Sequence, residues 1–288
     1  MIERRVGVLG ARSLVGKYLL SRLIEKDWQV NAYSRNPTKE AKDGVIWRRI
    51  GWYRSPESMP FWISLAPIWV LPDLFPTLEA SGVKRFVVLS STSRFTKEAS
   101  SDVGEQLLSK RLADAEKLVI SWAEERGIEW IILRPTLIYG LGRDGNISEI
   151  AHFIKRYHFF PLLGRADGLR QPVYANDVAQ ACVAVMENGE VSQRSYNLSG
   201  GETLTYRAMV GRVFHALRLK PRWLHLPLPL FRMAILIIRQ IPRYRNWTPA
   251  MAERMNRDLV FDHSEAESDF EFRPRAFVLT SEDLPRTD

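Results

Sequence analysis

Residues 6–23, VGVLGARSLVGKYLLSRL, set an apolar run, a turn holding Gly10, Arg12, Ser13 and Gly16, and an amphipathic run in direct succession. A strand feeding a helix through such a turn aims unpaired helical N–H groups and the positive end of the helix dipole at one point, which suits a diphosphate. Leu14 and Val15, the first helical residues, would lend their N–H groups. Gly10 permits the tight turn and Gly16 the close packing of helix on strand, the roles glycines play in a dinucleotide-binding turn. The middle glycine of a GxxGxxG spacing is replaced by Ser13, whose side chain either crowds the phosphates or donates a hydrogen bond to them. The next apolar run, within WQVNAYSRNP at 28–37, ends near Ser34 and Arg35, where an NAD-preferring site commonly carries an acidic residue for the ribose hydroxyls. Arg35 and Arg12 can instead pair with a 2′-phosphate through charge-assisted bonds, so NADP is the expected cofactor, with NAD open, unless both arginines are merely solvated.

Such groups need a sheet to hold them. Short apolar runs at Arg5 to Leu9, Gln29 to Tyr33, Val45 to Trp47, Trp62 to Leu65, Phe86 to Leu89 and Trp130 to Leu133 read as strands. Between them, Leu14 to Glu25, Leu71 to Ala80 and Val103 to Arg126 read as helices. That alternation predicts an α/β fold, a doubly wound parallel sheet of Rossmann-like type, with a smaller C-terminal lobe. Ligands of such sheets bind beyond the carboxyl ends of the strands, which puts Leu65, Ala66, Pro67, Ser90, Arg134, Pro135 and Thr136 in the expected cofactor site. After Gly140 the rhythm changes. A helix over Ile147 to Arg156, a loop with Arg165, Arg170 and Gln171, and a strand-helix unit over Gln171 to Glu187 follow. The expected division is residues 1–200 for the dinucleotide, with 141–170 contributing to the second lobe, and 201–288 for the substrate side.

The 288 residues are 45% hydrophobic, enough for a substantial core. Cys182, the single cysteine, sits in the apolar run ACVAVM and reads as an inert buried thiol. The five histidines are too dispersed for a metal-ligand pattern, so no metal is expected. The net charge of +8 is scattered in pairs and short clusters, with none of the patterns that read nucleic acid, so none is expected as a partner. The chain enters its Gly-containing turn without the long apolar run of a secretory signal, and a cytoplasmic location is the expectation. The stretch LHLPLPLFRMAILIIRQIPRYR at 224–245 is interrupted by charge and proline; it packs in the second lobe or lies peripherally on an anionic membrane surface.

Taken in order, the turn, GVKRFVVLSSTS at 82–93, SKRLADAEKLV at 109–119, GIEWIILRPTLIYG at 127–140, RQPVYANDVAQA at 170–181, RSYNLSGGETLTY at 194–206 and DLVFDHSEAESDFEFRPRAF at 258–277 resemble the landmarks of the extended short-chain dehydrogenase/reductase family, which contains nucleotide-sugar epimerases and dehydratases. The resemblance implies a tyrosine base in a YxxxK motif, whose lysine lowers the phenol's pKa and holds the nicotinamide ribose, and a Ser or Thr that orients the substrate hydroxyl. On this chain Thr92 takes the Ser/Thr place and Lys110 the lysine place, while the tyrosine place falls on Gln106. An amide has no proton to exchange near neutrality. Glu105, Asp102, Tyr139 and Tyr174 are the substitutes within reach in sequence, and Tyr139 and Arg170 join Thr92 on the expected substrate side. Asp177 reads as the N-cap of the helix it precedes. The stretch Ile50 to Pro60 lacks the family's Asp-Leu pair near the adenine, leaving Trp52 or Tyr53 to face that ring or to pack elsewhere.

Two functions follow from the resemblance. One is an NAD(P)-dependent oxidoreductase or epimerase/dehydratase-like enzyme acting on a nucleotide sugar or similar polar carbonyl or alcohol through Thr92 and Lys110. The other is a catalytically inactive NADP(H)-binding structural or redox-sensing protein. A homodimer through the 103–126 helix is expected by analogy with the family.

Overall fold

The computed structural model describes residues 4–37, 44–50, 58–227 and 249–285. Seven strands form one parallel sheet: Arg5–Leu9 (β1), Gln29–Ser34 (β2), Val45–Arg49 (β3), Phe61–Ser64 (β4), Arg85–Leu89 (β5), Glu129–Pro135 (β6) and, after four shorter strands, Arg194–Leu198 (β11). Their order is β11-β6-β5-β4-β1-β2-β3, so the chain leaves β1 in one direction through β2 and β3 and then returns to β1's other side with β4. The crevice of an open α/β sheet lies at this switch point, outside the carboxyl ends of β1 and β4.

Strands buried on both faces need apolar residues at successive positions, and β5 is buried along its whole length. Neighbouring side chains divide between the faces. Ile63, Val87 and Ile131 join one core under the helices Leu14–Glu25 (α1) and Ala175–Glu187 (α6). Trp62, Phe86, Val88 and Ile132 join the other core, under the helix Val103–Glu125 (α4). A third apolar cluster, centred on Tyr139, Ile154, Phe160, Phe214 and Phe277, unites the helix Ile147–Tyr157 (α5), the strand Phe160–Leu163 (β8), the helix Tyr206–Ala216 (α7) and the helix Pro249–Asn256 (α8).

The six expected strands and the long helices form as the periodicity requires. Three local features differ. The segment 71–80 is not one helix: single 3₁₀ turns at Ile68–Val70 and Pro72–Leu74 precede a short helix, Phe75–Ala80 (α2). Pro72 and Pro76 lack N–H donors and are tolerated only at a helix start, which delays the helix to Phe75. A four-residue helix, Ser93–Thr96 (α3), follows β5 directly. Asp177 is not an N-cap. The strand Val173–Tyr174 (β10) feeds straight into α6 with Tyr174 at the cap position, and the Asp177 carboxylate in the first turn accepts bonds from Arg275 N (2.9 Å) and Nε (3.0 Å). That pair ties the C-terminal segment to α6, and the helix Ser264–Phe270 (α9) packs beside β11.

Cys182 lies fully buried in α6, where burial pushes its thiol up to about 12, as an inert packing residue requires. No described helix is long and apolar enough to cross a membrane. Trp52 and Tyr53 and most of the 224–245 stretch lie outside the described residues.

Candidate functional site

A cavity of about 910 Å³ opens at the carboxyl edge of the sheet and runs from the start of α1 into the third apolar cluster. At the α1 end, Gly10 has a φ of +72°, in the left-handed region, and a Cβ there would stand 2.8 Å from the backbone N of Ala66. Only a glycine lets the β1–α1 turn approach the end of β4 this closely. At Gly16 a Cβ would collide with the carbonyl of Ala11, so this glycine sets how near α1 lies to its own turn.

Ser13 occupies the N-cap of α1, and its Oγ accepts from Gly16 N at 3.1 Å. The serine therefore spends its oxygen on the helix rather than crowding the turn. The first helical N–H groups have no acceptor inside the helix, and with Gly16 capped, those of Leu14 and Val15, both lining the cavity, remain to be satisfied from it. No acidic side chain sits in the first turn of α1 to repel an anion. A small-residue turn, free helical N–H groups and an unopposed dipole fit a dinucleotide's diphosphate.

Ser13, Leu65, Ala66, Pro67, Ser90, Thr92, Pro135, Thr136 and Arg170 also line the cavity. Arg12, Ser34 and Arg35 stand apart from it, at the end of β2. Arg12 Nη1 donates to the carbonyl of Asn36 at 2.9 Å, Ser34 Oγ donates to the same carbonyl at 3.2 Å, and Arg35 between them is exposed.

Arg134 is not free for a ligand: its guanidinium makes a bidentate pair with the fully buried carboxylate of Glu116. Glu116 also pairs with Arg94 and accepts from Ser90 Oγ at 2.5 Å. Arg170 lines the cavity, yet its guanidinium donates to the carbonyls of Leu169, Arg254 and Arg257. It joins the strand Leu169–Arg170 (β9) to the C-terminal end of α8. Gln171 accepts from Phe261 N at 2.7 Å, and Arg165 forms an exposed pair with Asp167. Tyr139 is fully buried against Tyr174 and Phe277 and its phenol is pushed up to about 12 by burial; Tyr174 Oη bonds Tyr18 Oη at 2.7 Å. Neither tyrosine lines the cavity.

The largest departure from expectation lies on α4. Lys110 is on its solvent face, with 71% of its side chain exposed, and pairs with Asp114 one turn on. Gln106, also exposed, donates to the carbonyl of Ser100 at 2.8 Å. The residue of α4 that does line the cavity is Leu112. Four residues before it, one helical turn, stands Leu108. At 100° per residue, a shift of two positions carries a side chain to the opposite side of a helix. Gln106 and Lys110 share a face with exposed Val103, Leu107 and Leu118, and neither lines the cavity.

Several polar residues at the cavity were not anticipated, four of which bear on its chemistry. Thr96 and Lys97 end α3, Arg254 projects from α8, and Tyr206 begins α7. Lys97 Nζ is 3.6 Å from Glu105 Oε1, and Arg254 Nη1 bonds the same oxygen. Glu105 is held from behind by Ser100 Oγ at 2.8 Å, while Asp102 caps α4 by accepting from Glu105 N at 3.0 Å. Burial, then the nearby Arg254 charge, hold the Lys97 ammonium below its usual range, with Asp102 acting the other way. Lys97 was within reach of sequence reasoning, five residues beyond Thr92. Arg254 carried no such signal, because only the tertiary fold brings α8 to α4.

A seven-stranded doubly wound sheet whose first helix opens on a cavity at the switch point defines a Rossmann-like α/β protein. Comparison with known proteins carries this further. Residues 73–199 match the model of the NAD dependent epimerase/dehydratase family. A mitochondrial NADH dehydrogenase [ubiquinone] 1 alpha subcomplex subunit 9 from Arabidopsis thaliana is 29% identical over 153 residues, 53% of this chain and 35% of that protein. A UDP-glucose 4-epimerase from Vibrio cholerae is 26% identical over 162 residues, 52% of this chain and 48% of its own length. The matched region thus spans about half or less of these relatives. Among solved structures, UDP-glucuronic acid 4-epimerase from Bacillus cereus in complex with NAD superposes with a TM-score of 0.73 at 14% identity, covering 97% of this chain and 94% of that one. The chain thus matches the NAD dependent epimerase/dehydratase family over residues 73–199 and shares the fold of the solved epimerase across nearly its whole length, while no tyrosine in its sequence is followed by a lysine four residues later.

Proposed function

We propose that the protein binds a nicotinamide dinucleotide, NADP(H) in preference to NAD(H), and acts on a nucleotide sugar or similar polar alcohol or carbonyl. The observation that carries this reading is the continuity of one cavity, from the N–H groups of Leu14 and Val15 past Thr92 into the third apolar cluster. The names of the relatives, two epimerases of UDP-sugars, one of them solved with NAD, support the same substrate and cofactor class. When bound, the dinucleotide supplies a nicotinamide that accepts or returns hydride.

The chain's own residues do the rest. Leu14 and Val15 donate to the diphosphate, and Ser13 keeps α1 capped. Arg12 and Arg35 meet a 2′-phosphate at the end of β2, where no described acidic side chain offers itself to ribose hydroxyls. Leu65, Ala66, Pro67, Ser90, Pro135 and Thr136 border the bound dinucleotide. Thr92, 5% exposed, gives its hydroxyl hydrogen to the carbonyl of Pro135, at 3.2 Å, and keeps its lone pairs for a substrate hydroxyl. Residues 1–200 serve the dinucleotide and 201–288 the substrate side. A homodimer through α4 is part of this reading, supported by the exposure of Val103, Leu107 and Leu118 at 67%, 61% and 54% on one helix.

The test is turnover. UDP-glucose or UDP-glucuronic acid, offered with NADP⁺, should produce an epimer or an oxidised sugar detectable by chromatography. A protein that binds NADPH tightly yet converts neither sugar nor a panel of simpler alcohols and carbonyls would leave a binding protein instead.

A further inference from the structure

With Leu112 the residue of α4 that lines the cavity, and Gln106 and Lys110 away from it, the proton that must leave or join a substrate hydroxyl needs another carrier. Among the described residues, the only tyrosine lining the cavity is Tyr206, whose phenol burial pushes up to about 12 beneath the Arg170 guanidinium. Asp144 lines the cavity but is committed to capping α5, accepting from the backbone N of Asn146, Ile147 and Ser148 at 2.9, 2.6 and 3.2 Å. Glu149 also lines the cavity, but from the exposed first turn of α5 rather than from the segment at α3 that carries Thr92. Arg170 and Arg254 keep their protons under all working conditions. Lys97 remains.

Its position suits the task. Thr92, at the N-cap of α3, and Thr96, its last residue, both line the cavity, and Lys97 follows immediately. The Lys97 side chain is 23% exposed, so it is partly desolvated yet reachable. Three charged groups face it: Arg254 from α8, and Glu105 and Asp102 from the start of α4. Arg254 shares the Glu105 carboxylate with it and so competes for the one counter-charge in contact. An ammonium placed so gives up its proton more readily than a surface lysine, as desolvated catalytic lysines do.

We propose that Lys97 is the catalytic acid and base of this cavity, exchanging the proton of a substrate hydroxyl in place of the absent tyrosine. The proposal rests on the dinucleotide and substrate reading above. In the oxidative direction the neutral amine of Lys97 takes the O–H proton as the C–H hydride passes to the oxidised nicotinamide. The alcohol becomes a carbonyl, the nicotinamide is reduced and the amine becomes an ammonium, with Glu105 and Asp102 offsetting its charge. In the reverse direction the ammonium returns the proton to the carbonyl oxygen as hydride arrives at carbon.

The first arm of the test needs neither cofactor nor substrate. Competitive acetylation of the full chain with acetic anhydride between pH 6 and 11, read by mass spectrometry, gives a titration midpoint for each lysine. Lys97 should titrate below Lys110; Arg254→Gln should raise its midpoint and Glu105→Gln lower it. A midpoint equal to that of Lys110 and indifferent to both substitutions overturns the proposal. The second arm follows UDP-glucose turnover with NADP⁺. Lys97→Met should lower kcat about a hundredfold or more and remove the pH-dependent limb, with NADPH affinity kept and no rescue by Lys97→Arg. A raised KM at unchanged kcat would make Lys97 an anion grip and also overturn it. Loss of the broader reading is distinguishable, because it would appear as failure of the unsubstituted protein to bind either nucleotide while the acetylation midpoints still report on Lys97.

Discussion

Glu116 has no exposure to solvent, yet its carboxylate joins α4 to β6 through Arg134, to α3 through Arg94 and to the cavity wall through Ser90. A buried carboxylate survives only when such partners replace its water, and removing it strands two guanidinium groups that are each mostly covered. Glu116→Ala should therefore cost about 3 kcal/mol in chemical denaturation, at the lower end of what breaking a buried ion pair costs, because both arginines can turn partly to solvent. Lys110→Ala tests the opposite kind of site. The exposed Lys110 pair with Asp114 contributes little, so the melting temperature and NADPH affinity should both stay unchanged; a clear loss of affinity would put Lys110 back at the ribose. Single residues were read unevenly from sequence. Ser13, Thr92, Leu65, Ala66, Pro67, Ser90, Pro135 and Thr136 reach the cavity because their positions follow from where strands stop, although Ser34, at the end of β2, does not. Lys110 and Arg134 do not, because which face of a helix looks inward and which charge pairs with which are decided by packing.

Between elements, the loop after β11 is fastened to α7 and to the C-terminal segment by one carboxylate. Glu202 pairs with Arg212 at 2.6 Å and accepts from Phe277 N at 3.2 Å. The bond from Arg212 holds the Glu202 carboxyl below its ordinary value of 4.5. A carboxylate with a lowered pKa in the folded state contributes stability that is present above its unfolded pKa and lost as pH falls through the folded one. Glu202→Gln should accordingly be less stable than the unsubstituted protein at pH 7, with the gap closing as pH drops below about 4.5, measured by urea denaturation at each pH. The elements themselves were largely legible. Both ends of β1 and of α1 follow from the glycine turn and the apolar period. The 68–80 segment was not, because two prolines break a pattern that hydrophobic spacing alone cannot distinguish from a helix. The Tyr174 start of α6 was hidden because the side chain expected as a cap had a better partner in Arg275.

Across the whole molecule, the doubly wound sheet and the position of its cavity could be read from the alternation of strands and helices. The clustering of Lys97, Glu105 and Arg254 could not, since it needs α8 folded back over α4 from some 150 residues later, the separation of Glu105 and Arg254 being 149. The exposed apolar side chains of α4 lead to one expectation about assembly. Light scattering should give twice the 33.2 kDa chain mass, and Leu107→Glu should return it to the monomer value. The central claim is that the turn between β1 and α1 and the arginines at the end of β2 hold a phosphorylated nicotinamide dinucleotide. It is tested most directly by titrating the protein with NADPH and NADH separately, following nicotinamide fluorescence, with Arg35→Ala beside it. Tighter binding of NADPH than NADH, with the difference lost in Arg35→Ala, is the predicted result; binding of neither nucleotide would contradict the account at its root.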